Sequence, residues 1–141
     1  MDGNSPNIFL LISIAIVAVV AVIYLVFSSK TGPKLSMAKY QTKWLEIENS
    51  LNRENPSSYH MAIFNADKLV DQALRERRFK GQTMGERMKS ANSVWSNANH
   101  IWGAHKIRNQ LAHEPDAQVS REIALRSLSA FKQGLKDLGA I

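Results

Sequence analysis

The feature that most constrains this chain is an uncharged apolar run close to its N-terminus. The residues from Ile8 to Phe27 contain no charged side chain. A helix of about 20 residues rises roughly 30 Å, the thickness of a bilayer's hydrocarbon core, and this run has no polar face. A cleaved secretory signal would need a basic start, a shorter apolar stretch and a small-residue cleavage site, none of which is present. The run therefore predicts a retained transmembrane helix.

Charged residues on the two sides of the run predict its orientation. The only charged side chain before it is Asp2. Four lysines follow it with no acidic residue among them: Lys30, Lys34, Lys39 and Lys43. Basic flanks stay on the cytoplasmic side of a membrane. We therefore expect a single-pass protein of the plasma membrane, with its N-terminus outside and its C-terminal domain in the cytoplasm.

These expectations divide the chain into four parts. They are an extracytoplasmic tail at 1–7, a transmembrane helix at 8–27, a linker at 28–35 and a cytoplasmic domain at 36–141. The chain has no cysteine, which excludes disulfides and thiolate chemistry and agrees with a reducing compartment. A short chain with one span suits a bacterial source.

The charge balance predicts anionic partners. Lysine and arginine number 18 against 12 acidic residues, a net charge of +6. RNA phosphates and the lipids of an acidic inner leaflet both qualify, and charge alone does not choose between them. One basic group is a candidate RNA- or lipid-binding surface, or else a solvated helix end. It comprises Arg75, Arg77, Arg78, Lys80, Arg87 and Lys89.

After the predicted linker, apolar residues recur every three or four positions and no alternating strand pattern appears. The fold class predicted for the whole chain is all-α, with one N-terminal transmembrane helix followed by a bundle of four to five helices. The predicted bundle helices lie at about 36–54, 57–79, 83–93, 96–113 and 120–139. Thr83 and Glu86 are predicted to form a capping box at the start of the third. The second helix is predicted to carry an apolar line made of Ala62, Ile63, Ala66, Leu69, Val70, Ala73 and Leu74.

The most specific stretch outside the apolar run lies in the fourth of these helices. His105, Asn109 and His113 are spaced by four and form one polar stripe on a helix. Arg108 lies beside that stripe, where it would be partly desolvated and would bind a carboxylate or phosphate strongly. His113 falls on the last helical turn, and an arginine that binds phosphate near a proton-exchanging histidine can support phosphodiester chemistry without metal.

The segment from Arg108 to His113, Arg-Asn-Gln-Leu-Ala-His, resembles the signature of HEPN-superfamily domains: an arginine, a polar residue, a short spacer and a histidine. These domains are small helical bundles, and many are RNases. The resemblance implies RNA binding and metal-independent cleavage by attack of a 2′-hydroxyl on its neighbouring phosphate. It assigns His113 as acid/base, Arg108 as ligand of the phosphate and the transition state, and Asn109 as polar orienter.

The resemblance also implies a homodimer with facing motifs, because Arg108 and His113 lie about 140° apart on an ideal helix. No cofactor is expected, and no histidine or carboxylate set with metal-ligand spacing is visible. Any neutralising partner protein is unidentified. In HEPN toxins controlled by tyrosine modification a tyrosine follows the histidine by two residues, and here that position is Pro115.

A non-catalytic interpretation stays open for the same residues. Arg108 would then pair with a buried carboxylate, for which Asp67 is the candidate because it interrupts an apolar line. His113 would only cap its helix. The two resulting functional expectations are a membrane-tethered HEPN-like domain that binds and cleaves RNA, and a non-catalytic helical interaction module at the membrane surface.

Overall fold

The computed structural model describes the backbone of residues 5–28, 32–114 and 116–141. Within the first of these ranges it describes the side chains of residues 8–24. The described residues form six α-helices and no strand, so the all-α part of the predicted fold is confirmed. The helices are α1 (Ser5–Ser28), α2 (Met37–Asn49), α3 (Pro56–Glu76), α4 (Met84–Ser90), α5 (Ala98–His113) and α6 (Arg121–Asp137). The chain divides into two compact units, Met1–Gly32 and Pro33–Ile141.

The predicted transmembrane helix at 8–27 is wrong. The residues are helical as part of α1, but within the described ranges no helix is both long and apolar enough to cross a membrane. The predicted tail at 1–7 and linker at 28–35 fall partly outside the described residues.

The unit Pro33–Ile141 is a bundle of the five helices α2 to α6, as the apolar spacing predicted. Its central helix is α3, which packs against each of the other four. All seven apolar residues predicted to line α3 are buried: Ala62, Ile63, Ala66, Leu69, Val70, Ala73 and Leu74. Spacings of three and four place these side chains on one stripe that faces the core.

Helix ends follow local capping chemistry. Thr83 and Glu86 form the predicted capping box at the start of α4. α3 begins earlier than predicted, because the Asn55 side chain accepts a hydrogen bond from Ser57 N at 3.0 Å. Pro56 then occupies the first helical position, where its fixed φ and missing N–H carry no penalty.

Two exposed ion pairs connect α2 to its neighbours. Lys132 Nζ on α6 lies 2.7 Å from Glu48 Oε1 on α2, and this bond is the main cause that lowers the pKa of Glu48. Lys39 Nζ on α2 lies 2.8 Å from Glu76 Oε1 on α3, and it likewise lowers the pKa of Glu76. Because these carboxylates are partly exposed, the pairs add little to the stability that the apolar core supplies.

Phe131 on α6 tests the role of that core, because its side chain is 0% exposed. We expect Phe131→Ala to lower the free energy of unfolding by about 3–5 kcal/mol, through lost apolar burial and the cavity left behind. Denaturant titration followed by circular dichroism measures this change. Leu125→Ala is the matched control, since Leu125 lies on the same helix and is 37% exposed. Equal losses in the two variants would contradict the described core.

Candidate functional site

An open groove of about 850 Å³ lies where α3, α4 and α5 meet. From α3 its lining includes Phe64, Asp67, Lys68, Asp71 and Arg75. These positions recur at intervals of three or four, so the helical period places them on one face of α3, beside its buried apolar stripe. This face of α3 therefore carries charge next to the core.

The opposite wall comes from α5, and the segment around the start of α4 completes the lining. Trp102, His105 and Asn109 are spaced by three and four on α5, and Arg108 is one turn after His105. The α4 side contributes a run from Gln82 to Gly85 and the side chain of Arg87. The groove thus gathers residues that are up to 45 positions apart in the sequence, from Phe64 to Asn109.

Asp67 is the central residue of the groove and is only 4% exposed. One carboxylate oxygen, Oδ1, lies 2.7 Å from His105 Nδ1. The other oxygen, Oδ2, lies 3.2 Å from Arg108 Nε. A buried carboxylate needs such partners, because an unpaired charge removed from water is strongly destabilising. Asp67 therefore fixes two α5 side chains from its place on α3.

The hydrogen bonds on α5 determine which nitrogen of the neutral His105 ring carries the proton. Arg108 Nη1 donates to Asn109 Oδ1 at 3.0 Å, and since arginine has donors only, this bond fixes the amide orientation. Asn109 Nδ2 then faces His105 Nε2 at 3.2 Å, so Nε2 accepts. The neutral imidazole consequently carries its proton on Nδ1 and donates it to Asp67, while its basic atom is Nε2.

Arg108 is held in place without using all of its donors. Its Nε is close enough to Asp67 Oδ2 for charge pairing, but the angle does not make a hydrogen bond. Its Cζ lies 5.2 Å from the ring centroid of Phe64, within cation–π range. The side chain is 34% exposed, so the guanidinium is positioned by three neighbours and still accessible from the groove.

A second carboxylate, Asp71, pairs with two of the basic side chains that line the groove. Arg87 Nη2 lies 2.7 Å from Asp71 Oδ1, and Arg75 Nη2 lies 2.7 Å from Asp71 Oδ2. Arg87 is 8% exposed and also donates from Nη1 to the Gly81 carbonyl at 2.8 Å. A side chain at Gly81 would collide with the backbone at Arg87, and its φ of +146° suits glycine. This cluster joins α3 to the loop before α4.

Of the three residues singled out as catalytic by the HEPN resemblance, Arg108 and Asn109 line the groove together. His113 is exposed on the last turn of α5 and is not part of the lining. Pro115, where the resemblance would place a regulatory tyrosine, lies outside the described residues.

The predicted basic surface is divided by the structure. Arg75 and Arg87 line the groove, although Arg87 is buried. Arg77 Nη1 donates to the Leu138 carbonyl at the end of α6, 3.0 Å away, which is a structural contact. The other three, Arg78, Lys80 and Lys89, are exposed and lie outside the groove lining.

Sequence reasoning identified Asp67 only as a structural partner for Arg108, and that pairing is confirmed. It placed His105 on a polar stripe of its helix and gave this histidine no catalytic role. A signal was available, since polar Asp67 interrupts an apolar line and His105 lies one turn before Arg108.

Within the residues that the structure describes, no group of three or more histidine or acidic side chains could hold a metal ion. Comparison with protein-family models, curated proteins and solved structures found no match.

The buried position of Asp67 gives a test of this network. We expect Asp67→Ala to lower the free energy of unfolding by about 3 kcal/mol, because it leaves Arg108 and His105 without their carboxylate. Denaturant titration of the two proteins measures the difference. Asp116→Ala is the control, since Asp116 is exposed in a loop, and it should change the value by less than about 0.5 kcal/mol. A neutral Asp67→Ala change would remove Asp67 as the centre of the site.

Proposed function

We propose that the unit Pro33–Ile141 is an HEPN-like RNA-binding domain whose groove accepts a single-stranded segment. The observation that carries this proposal is that one open groove combines cationic side chains with two aromatic rings. Proteins that bind single strands use this combination, because cations follow the phosphates and rings stack on bases.

The charge of the groove supports this proposal. Its lining has four basic side chains, Lys68, Arg75, Arg87 and Arg108, against the two carboxylates Asp67 and Asp71. The excess is therefore two positive charges when His105 is neutral. Lys68 and Arg75 are exposed, so their cations are available to phosphates in solvent.

The aromatic side chains support it further. Phe64 and Trp102 are both half-buried and lie on opposite walls of the groove, on α3 and α5. A half-buried ring is fixed by packing and keeps part of its surface for a ligand. The guanidinium plane of Arg108 beside Phe64 offers another flat surface for a base.

RNA cleavage is part of the proposal through the HEPN resemblance. Arg108, which the resemblance assigns to the phosphate, lines the groove, and its side chain is 34% exposed. His113 lies outside the groove lining of its own chain, so a role for it as acid/base requires a second copy. The homodimer expected from the resemblance would provide that copy.

RNA binding is tested by removing the two exposed cations. The purified full chain, in mild non-ionic detergent because α1 exposes apolar side chains, is titrated into a fluorescein-labelled single strand of 2′-O-methyl RNA, which cannot be cleaved. Fluorescence anisotropy gives Kd. We expect the double variant Lys68→Ala, Arg75→Ala to bind roughly tenfold more weakly, and its salt dependence to lose a slope of about 1.4, for two phosphates.

The control for this titration is Lys136→Ala, an exposed cation on α6 outside the groove. It should leave Kd within about twofold. An unmodified chain that does not bind the strand would remove the proposed function. Equal weakening by the control and the double variant would place binding outside the groove.

A second candidate function is a non-catalytic interaction module at a membrane surface. Two observations favour it: both Asp67 oxygens are already used within the chain, and most of the described side chains of α1 are apolar and exposed. If this second function is correct, the full chain should float with vesicles of phosphatidylcholine and phosphatidylserine in a density gradient. The double variant Phe9→Asp, Val17→Asp should reduce the floating fraction at least fivefold. Absence of flotation would reject it.

A further inference from the structure

We propose that His105 is the catalytic proton-transfer residue of the groove, that Asp67 is its positioning residue, and that Asn109 covers its basic nitrogen in the resting state. This proposal rests on the RNA-binding function proposed above. It departs from the HEPN resemblance, which assigns proton transfer to His113.

The position of His105 supports the assignment. It is the histidine of the groove lining, and its side chain is 12% exposed. Asp67 holds Nδ1 from α3, so the ring cannot turn freely and Nε2 is the remaining site for proton exchange. A base oriented by a carboxylate on its far nitrogen is the usual arrangement of a catalytic histidine.

Arg108 lies where such a base needs a phosphate ligand. His105 and Arg108 are one turn apart on α5 and share the Asp67 carboxylate, which fixes their relative position. A phosphate bound by Arg108 would thus lie beside the imidazole of the same chain. No second copy is needed for this pair, in contrast to Arg108 and His113.

Asn109 links phosphate binding to release of the base. In the unliganded groove Arg108 Nη1 donates to Asn109 Oδ1, and Asn109 Nδ2 donates to His105 Nε2. A phosphate oxygen is a stronger acceptor for arginine than an amide oxygen. When it takes Nη1, the amide loses its anchor, and the 3.2 Å contact to Nε2 is free to break.

The reaction then proceeds by transesterification within the strand. Nε2 takes the proton of the RNA 2′-hydroxyl, the 2′-oxygen bonds to the adjacent phosphorus, and the bond from phosphorus to the 5′-oxygen breaks with its electron pair on that oxygen. The imidazolium returns its proton to the 5′-oxygen. The products are a 2′,3′-cyclic phosphate and a 5′-hydroxyl, with no net change in protons or electrons.

The test uses the full chain, EDTA and a labelled 2′-O-methyl strand that contains one ribonucleotide as the only cleavable position. We expect cleavage at that position, a rate at saturating RNA at least about 100-fold lower in His105→Gln, and Kd for the all-2′-O-methyl strand within about twofold. Added imidazole should restore part of the rate in His105→Ala. His60→Gln is the control, because His60 lies outside the groove lining, and its rate should not change.

A readout on the unmodified chain keeps the test independent of folding in the variants. The ring ¹⁵N resonance of His105 Nε2 should shift when the uncleavable strand binds, because the ring loses the Asn109 N–H donor. No shift on binding, cleavage lost in His113→Gln but kept in His105→Gln, or binding without any cleavage would each overturn this proposal and leave RNA binding intact. A chain that binds no RNA would overturn both.

Discussion

The groove depends on one buried carboxylate. Asp67 lies on α3 among core residues and is paired on one oxygen with His105 and on the other with Arg108. Because removing an ion from water costs several kcal/mol without compensation, this carboxylate is stable only while α5 supplies both partners. The same requirement fixes the functional side chains of α5 against α3. Stability of the bundle and geometry of the site are therefore linked through one residue.

The other charges of the groove are arranged around this centre. Asp71 pairs with buried Arg87 on α4 and with exposed Arg75 on its own helix, so it joins α3 to α4 and still leaves the groove positive. Structural and ligand-binding roles fall on different cations as a result. Arg87 has a structural role, whereas Lys68 and Arg75 face solvent and are available to a ligand. Arg108 serves both roles, because it pairs with Asp67 and its side chain is 34% exposed.

His105 and His113 lie at different places on α5, and each would imply a different mechanism of RNA cleavage. His105 belongs to the groove of its own chain, while His113 lies at the exposed end of the same helix. The motif spacing from Arg108 to His113 is a property of sequence, but the residues that share a surface with Arg108 are set by how α5 packs on α3. A helical partner one turn away, as His105 is, needs no second molecule to reach the same phosphate.

The sequence by itself determined the all-α class of the bundle, the buried stripe of α3 and the capping box at Thr83, and it named Asp67 as the candidate partner of Arg108. These depend on helical period and on short-range capping, which act between near neighbours in the chain or demand a partner for a buried charge. It did not determine α1, where an apolar run predicted a transmembrane helix that the described residues do not supply. Only the tertiary structure decided that His105, Phe64 and Trp102 share the groove, because packing of α3, α4 and α5 brings distant positions together, and one-dimensional spacing carries no information about that packing.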